Sequence, residues 1–273
     1  MYKRQAEYED GRETDLTGKE AYSIYGKEVV EHLKKVGANW VLSGKVSRLM
    51  IGEAEDLWDS VAIARYPSRK AMFEMIMDPD YLESEKHRSA GLEGQLNIEL
   101  KEDELLKKYF FFTAILLIGI SLFFFGGNSN NNAEKIFKNA VTPSPVQVAG
   151  FALGEDVPFL AVNLIKFKEK AEYADRRETD LTGREAYAIY ADEVLEHLTK
   201  VGAEPIFGGE VNRLILGEVE ELWDVVAVVR YPSRKAMFEM ATSDDYRESE
   251  KHRTAGLAGQ LNIEVTEDGF NFE

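Results

Sequence analysis

From Pro158 to Phe167 the chain is a β-prone apolar run, which predicts a strand. Lys168 to Gly183 is polar and loop-like. From Arg184 onward, apolar residues fall at Ala186, Tyr187, Tyr190, Val194, Leu195 and Leu198. That is the spacing of one helix face, with Thr182 as its cap and Gly202 as its stop. Pro205 to Leu216 and Leu222 to Tyr231 predict two strands joined by the acidic turn 217–220, and Pro232 ends the second. Ser233 caps a short helix to Met240, Asp244 to Arg253 predicts another helical turn or two, and Leu257 to Val265 predicts the last strand. The order βαββαβ is that of a ferredoxin-like plait, an α+β fold. Trp223, Val225 and Val229 alternate with Val226 and Val228, so this strand is apolar on both faces. Helices can hide one face; the other calls for a second sheet, which gives a dimeric α+β barrel.

The N-terminal half repeats this pattern. The runs RETDLTG (Arg12 to Gly18), YPSRKAMFEM (Tyr66 to Met75) and GQLNIE (Gly94 to Glu99) return unchanged at Arg177, Tyr231 and Gly259, always 165 residues later. Roughly two-thirds of the aligned positions are identical, which makes this a tandem duplication of a whole domain rather than a solenoid. Lys166 aligns with Met1, so the first repeat lacks nearly all of the first strand. Three explanations are open at this stage: it folds without that strand, it borrows one, or a start lies upstream.

Between the repeats, Tyr109 to Phe125 carries no charge and is apolar on every side. As a helix it would span about 25 Å, near the lower limit for a bilayer core. It predicts a membrane helix, with a buried core helix as the alternative. Lys107 and Lys108 on its N-terminal flank place the first repeat in the cytoplasm and the second outside, a single-pass arrangement. The same lysines, apolar run and Gly-Gly-Asn-Ser also have the shape of an internal export signal, retained as an anchor or cleaved. The expected organisation is 1–103 as the first repeat, 104–127 as the apolar segment, 128–156 as a linker, 157–267 as the second repeat and 268–273 as a tail.

Charge narrows the partners. Lys+Arg number 33 against 49 Asp+Glu, a formal net charge of -16, so a phosphate backbone would be repelled and nucleic acid is not expected. There is no cysteine, which excludes disulfides, thiolate metal sites and cysteine nucleophiles.

The stretches NLIKFKEKAEY (Asn163 to Tyr173), LTGREAY (Leu181 to Tyr187), EELWDVVAVVRYPSR (Glu220 to Arg234) and HRTAGLAGQ (His252 to Gln260) together resemble domain-of-unknown-function family 1330, within the dimeric α+β barrel superfamily. The resemblance covers nearly all of the second repeat and most of the first. It implies the barrel fold. Superfamily relatives include small monooxygenases, muconolactone isomerase-like enzymes and dehalogenase-associated proteins, but the family carries no assigned reaction.

Few residues suit chemistry. His252, with its counterpart His87, follows Glu248 by four residues and precedes Arg253 (Arg88), where a helix runs into a strand. A histidine beside a carboxylate and a guanidinium can exchange protons near neutral pH, although a helix-terminal histidine also serves simply to bond free carbonyls. Arg253 and Arg88 are expected anion holders, and Arg177 and Arg12 in the long loop are secondary binding candidates. Tyr190 and Tyr25, and Trp223 and Trp58, complete the ligand-binding candidates, though both pairs read first as core. His197 and His32 read as solvated helix positions, and Arg234 as a solvated first-turn residue. No metal-ligand spacing, phosphate loop or nucleophile elbow appears, and nothing requires a cofactor. The expected function is small-molecule binding between sheet and helices, with acid/base chemistry as an extension; the alternative is a non-catalytic, membrane-tethered dimerisation module. The repeats would pair with each other or with those of a second chain.

Overall fold

A computed structural model describes residues 2–54, 56–102, 120–125 and 137–268. In the first repeat, helix α1 (Gly18–Lys35) is followed by β1 (Asn39–Ile51), the short β2 (Glu53–Ala54), β3 (Ser60–Arg65), α2 (Arg69–Ile76), α3 (Pro79–Gly91) and β4 (Gln95–Glu102). Then come β5 (Ile120–Phe125), the short β6 (Phe137–Lys138) and α4 (Pro145–Ala152). The second repeat comprises β7 (Phe159–Phe167), α5 (Gly183–Lys200), β8 (Glu204–Leu216), β9 (Val225–Tyr231), α6 (Arg234–Thr242), α7 (Asp244–Gly256) and β10 (Leu257–Glu267). The long helices start where the sequence supplies a reciprocal cap. Thr17 accepts from the Glu20 amide while Glu20 bonds back to the Thr17 amide, and Thr182 and Glu185 do the same.

Eight strands close into one barrel within the single chain, in the order β1-β10-β7-β9-β8-β4-β5-β3. The repeats meet at two antiparallel seams. At one, Val46 of β1 lies opposite Val265 of β10; at the other, Leu100 of β4 lies opposite Val211 of β8. The strands alternate about this wall as their period of two requires. Val61, Ile63, Ile98, Val162, Leu164, Val226, Val228 and Ile263 fill the barrel interior, each fully buried. The opposite face packs on helices: Ala62, Ala64 and Tyr66 against Tyr25, Val29 and Leu33, and Phe159, Ala161 and Tyr231 against Tyr190 and Leu198. The greasy second face anticipated from Val226 and Val228 is therefore hidden against the sheet of the sister repeat.

The apolar run between the repeats is the main correction. Its last six residues, Ile120–Phe125, are not helical. They form β5, paired antiparallel to β3 on one side and β4 on the other. Ile120 stands opposite Arg65 as Leu160 stands opposite Arg230, and Phe124 opposite Leu96 as Leu164 opposite Leu261. Thus β5 occupies the slot that β7 fills in the second repeat: the first repeat takes its missing strand from the chain that follows it. Tyr2 supplies the slot's far end. It bridges Leu92, and its amide donates to Asp59 Oδ2 at 2.8 Å, as Phe167 does to Asp224 at 2.9 Å. The rest of the run, residues 109–119, lies outside the described residues.

Among the described residues no helix is long and apolar enough to cross a membrane. The membrane-helix joint in the fold class, the membrane anchor at 109–125, and the single-pass placement of the first repeat in the cytoplasm and the second outside are all overturned. One barrel wall built from both repeats also keeps them in one compartment. The sequence misled because a strand within a closed wall and a membrane helix can share the same signature, an unbroken apolar run.

The segment before the second repeat is partly ordered against the barrel. Ser144 caps α4, Gln147 Nε2 donates to the Gly52 carbonyl at 2.8 Å, and Phe151 meets Phe159 edge to face. This helix covers one of two equivalent ion clusters, one at each seam. Under α4, Glu264 of β10 accepts from Arg234 and sits 3.4 Å from Arg48 of the other repeat. The Gly154 backbone lies directly against the Arg234 guanidinium, leaving no room there for a side chain. Arg234 is consequently buried, contrary to its reading as a solvated first-turn residue. At the other seam Glu99 is held by Arg69, Arg213 and Asn212, with both arginines half exposed.

Candidate functional site

In the loop that precedes α5, Arg177 clamps Asp175, with Nε 3.0 and 2.9 Å from the two carboxylate oxygens. The clamp lays the guanidinium 4.5 Å over the Tyr173 ring. The Tyr173 hydroxyl in turn lies 2.7 Å from His252 Nδ1. The first repeat builds the same chain: Asp10, Arg12 stacked at 4.5 Å on Tyr8, and Tyr8 at 2.6 Å from His87 Nδ1. The turn between tyrosine and arginine needs a left-handed residue, met by Gly11 at φ 72° and, at a cost, by Arg176 at φ 59°. The structure thus unites two residues chosen separately from the sequence, His252 with Arg177 and His87 with Arg12. The linking tyrosines and aspartates went unnoticed.

The other expected neighbours separate. Successive residues of a helix point about 100° apart, so His252 faces the loop while Arg253 turns inward. Glu248, one turn before His252, bonds Lys251 instead. Its carboxyl is held below the usual range first by that lysine.

Asp175 and Asp10 titrate at about 2, chiefly through the bonds from their arginine side chains and then from the arginine amide. A carboxylate whose pKa is lowered by folding stabilises the fold above its unfolded pKa and loses that contribution as the pH falls through the folded value. The clamps are therefore expected to persist from neutral pH down through pH 4 and to release only toward pH 2. Carboxyl carbon shifts followed by NMR will show this; release near pH 4 would contradict the clamp.

Beneath the helices lies a buried polar layer. Arg253 donates to the Val141 carbonyl at 3.1 Å and lies 3.6 Å from Glu250. Burial works against its charge, but the Tyr190, Tyr246 and Tyr187 phenols and Glu250 hold it above the ordinary arginine value. The Tyr190 and Tyr246 hydroxyls meet at 3.3 Å, and His197 Nε2 meets Ser249 at 3.0 Å. Burial pushes the Tyr190 phenol far up. In the first repeat Arg88 bonds Gln95 and Glu85, Tyr25 meets Tyr81 at 3.3 Å, and His32 meets Ser84 at 3.0 Å. His32 and His197 are buried, so their reading as solvated positions is also corrected. Trp58 and Trp223 belong to the barrel interior, and the Trp223 indole donates to Asn139 at 2.8 Å.

A crevice of about 40 Å³ opens in the first repeat between α1 and the strands β1 and β3. Tyr2, Tyr22 and Trp40 form aromatic walls; Ser43, Ser60 and Asp268 supply the polar groups. The Tyr2 hydroxyl lies 3.3 Å from Ser60 Oγ, and Ser43 donates to Asp268. Asp268 follows β10, so the second repeat completes a site in the first. At equivalent positions the second repeat has Phe167 for Tyr2, Ala191 for Gly26, Pro205 for Trp40, Gly208 for Ser43 and Val225 for Ser60. These differences mark the crevice in the sequence, but they stand out only when the repeats are compared for where they disagree. Among the described residues no group of three or more His, Asp and Glu is placed to hold a metal ion.

Residues 177–264 match the model of a family described as Domain of unknown function (DUF1330); the first repeat is outside that match. Solved structures are also similar, two of them as follows. A protein of unknown function from Rhodopseudomonas palustris is 30% identical, with 46% of this chain and 95% of that one covered and a TM-score of 0.43. Its methylated form is 32% identical, with 47% and 94% covered and a TM-score of 0.44. No curated protein matches the chain.

Proposed function

We propose a function from the chain's own geometry, since the DUF1330 model that residues 177–264 match carries no reaction in its description: the chain binds a small polar molecule in the helix–sheet crevice of the first repeat. One observation carries this reading. The repeats are close copies, yet at Tyr2, Gly26 and Ser60 the first carries smaller or more polar groups than the second, and these positions line one crevice. A space of this size admits two or three waters or the polar head of a ligand whose remainder stays outside.

The test gives the first repeat the second repeat's residues at these three positions. The triple variant Tyr2→Phe, Gly26→Ala, Ser60→Val uses only groups the fold already accepts at the equivalent positions. A panel of small amines, carboxylic acids and alcohols is screened by thermal shift. For the unaltered chain, a ligand at 100 times its Kd is expected to stabilise by about 2.7 kcal/mol. The variant is expected to fold and show no shift. A shift that survives in the variant rules out this crevice.

The matched Tyr8–His87 and Tyr173–His252 contacts favour a second reading, acid/base chemistry at the loop surface. His87→Ala and His252→Ala separate the two: they leave crevice binding unchanged on the first reading and abolish activity on the second.

A further inference from the structure

We propose that this chain associates head to tail with further copies of itself, α4 of one copy lying on the β4–β8 seam of the next. Observations on two separate parts of the molecule support this. The first part is α4. Gln147 is its one polar residue, yet none of its residues is buried. Gln147 and Phe151, one turn apart, face its own barrel. Val146, Ala149 and Leu153 recur at the spacing of one helix face on the other side. All three are exposed, Val146 by 81% and Leu153 by 87%. A helix that is apolar all round is normally covered all round.

The second part is the receiving surface. At the β1–β10 seam α4 lies against Met50, Arg48 and Arg234, and Met50 is only 6% exposed. The counterparts of these residues in the other repeat are Ile215, Arg213 and Arg69, at the β4–β8 seam. There Ile215 is 39% and the adjoining Leu216 46% exposed, and both arginines are half exposed. This is the footprint of an apolar helix without its helix. Charge matches as well. Two guanidiniums share the Glu99 carboxylate, which leaves one positive charge over. Exposed Glu155 follows Leu153 at the negative, C-terminal end of α4. With Leu153 on Ile215 and Leu216, Glu155 is set toward these arginines. The two seams are four strands apart either way round the eight-strand wall, so they face opposite sides of the barrel. The contact is therefore heterologous and repeats from copy to copy instead of closing on a two-fold axis.

Sedimentation of the full chain from micromolar to millimolar concentration is expected to show a mass that keeps rising past the dimer. Leu153→Lys and Ile215→Lys alter positions that a single copy leaves in water, and circular dichroism checks that both fold. Each is expected to raise the concentration at half-association about tenfold or more, the scale for losing one buried aliphatic side chain. Glu155→Arg is expected to act in the same direction and to weaken the salt dependence of association. The chain has no cysteine, so a cysteine placed on either surface reports on that surface alone. Under mild oxidation, Leu153→Cys chains are expected to cross-link to Ile215→Cys chains far faster than to their own kind, and the double variant to give a ladder of covalent oligomers. A chain that stays monomeric at every concentration overturns the proposal. So does a dimer that grows no further, an association that Leu153→Lys leaves unchanged, or cross-linking only between like variants.

Discussion

Glu264→Ala is expected to destabilise the protein by about 3–5 kcal/mol, whereas Glu99→Ala, the same change at the other seam, is expected to cost about 1–2 kcal/mol. The two glutamates are the same residue of the duplicated GQLNIE run. They differ in cover. The Glu264 and Arg234 side chains are 2% and 10% exposed, because α4 and Gly154 lie over them. Removing Glu264 leaves a guanidinium that is largely shielded from water, and an unpaired buried charge is far costlier than the net worth of the pair. Around Glu99, Arg69 and Arg213 are 50% and 56% exposed and simply rehydrate. Urea unfolding of the two variants, with unchanged m-values as the check on two-state behaviour, measures the contrast. Equal losses would show that α4 plays no part in burying the pair.

Leu122→Pro is expected to open the barrel, at a cost of about 3 kcal/mol or more. Leu122 lies mid-strand in β5, opposite Ile63 of β3 and Ile98 of β4, with a neighbour on each side. Proline removes a ladder donor and is tolerated only at edges and bulges. Loss of the strand also bares the inner edges of β3 and β4, whose backbone groups then lack partners. Circular dichroism and urea unfolding will read the loss. Glu169→Pro, at an exposed loop residue beyond the end of β7, serves as the control for proline itself. A chain that tolerates Leu122→Pro as well as that control would exclude β5 from the wall.

The chemistry of the site was legible only in part. His252 and Arg177 stood out as residue types able to move protons or hold anions, but nothing in their spacing showed that Tyr173 would join them across 79 positions. Arg253 looked like a partner of His252 because the two are adjacent. The helix sends adjacent residues to different sides, so adjacency was the wrong guide. The crevice was missed for another reason. Repeats draw attention to what they share, and this site is made of what they do not.

The amino-acid sequence by itself determined the duplication, the strand and helix periods of each repeat, the caps at Thr17 and Thr182, and the need to bury both faces of β9, because these depend on residue spacing over a few turns. Only the tertiary structure decided where the end of the uncharged run goes. An apolar stretch has the same preference for a bilayer as for a barrel wall, and what selects the wall is a vacant position between β3 and β4 whose backbone groups need partners. The burial of Arg234 and the completion of the first repeat's crevice by Asp268 were likewise settled by contacts between segments about 80 or more residues apart, which no local pattern encodes.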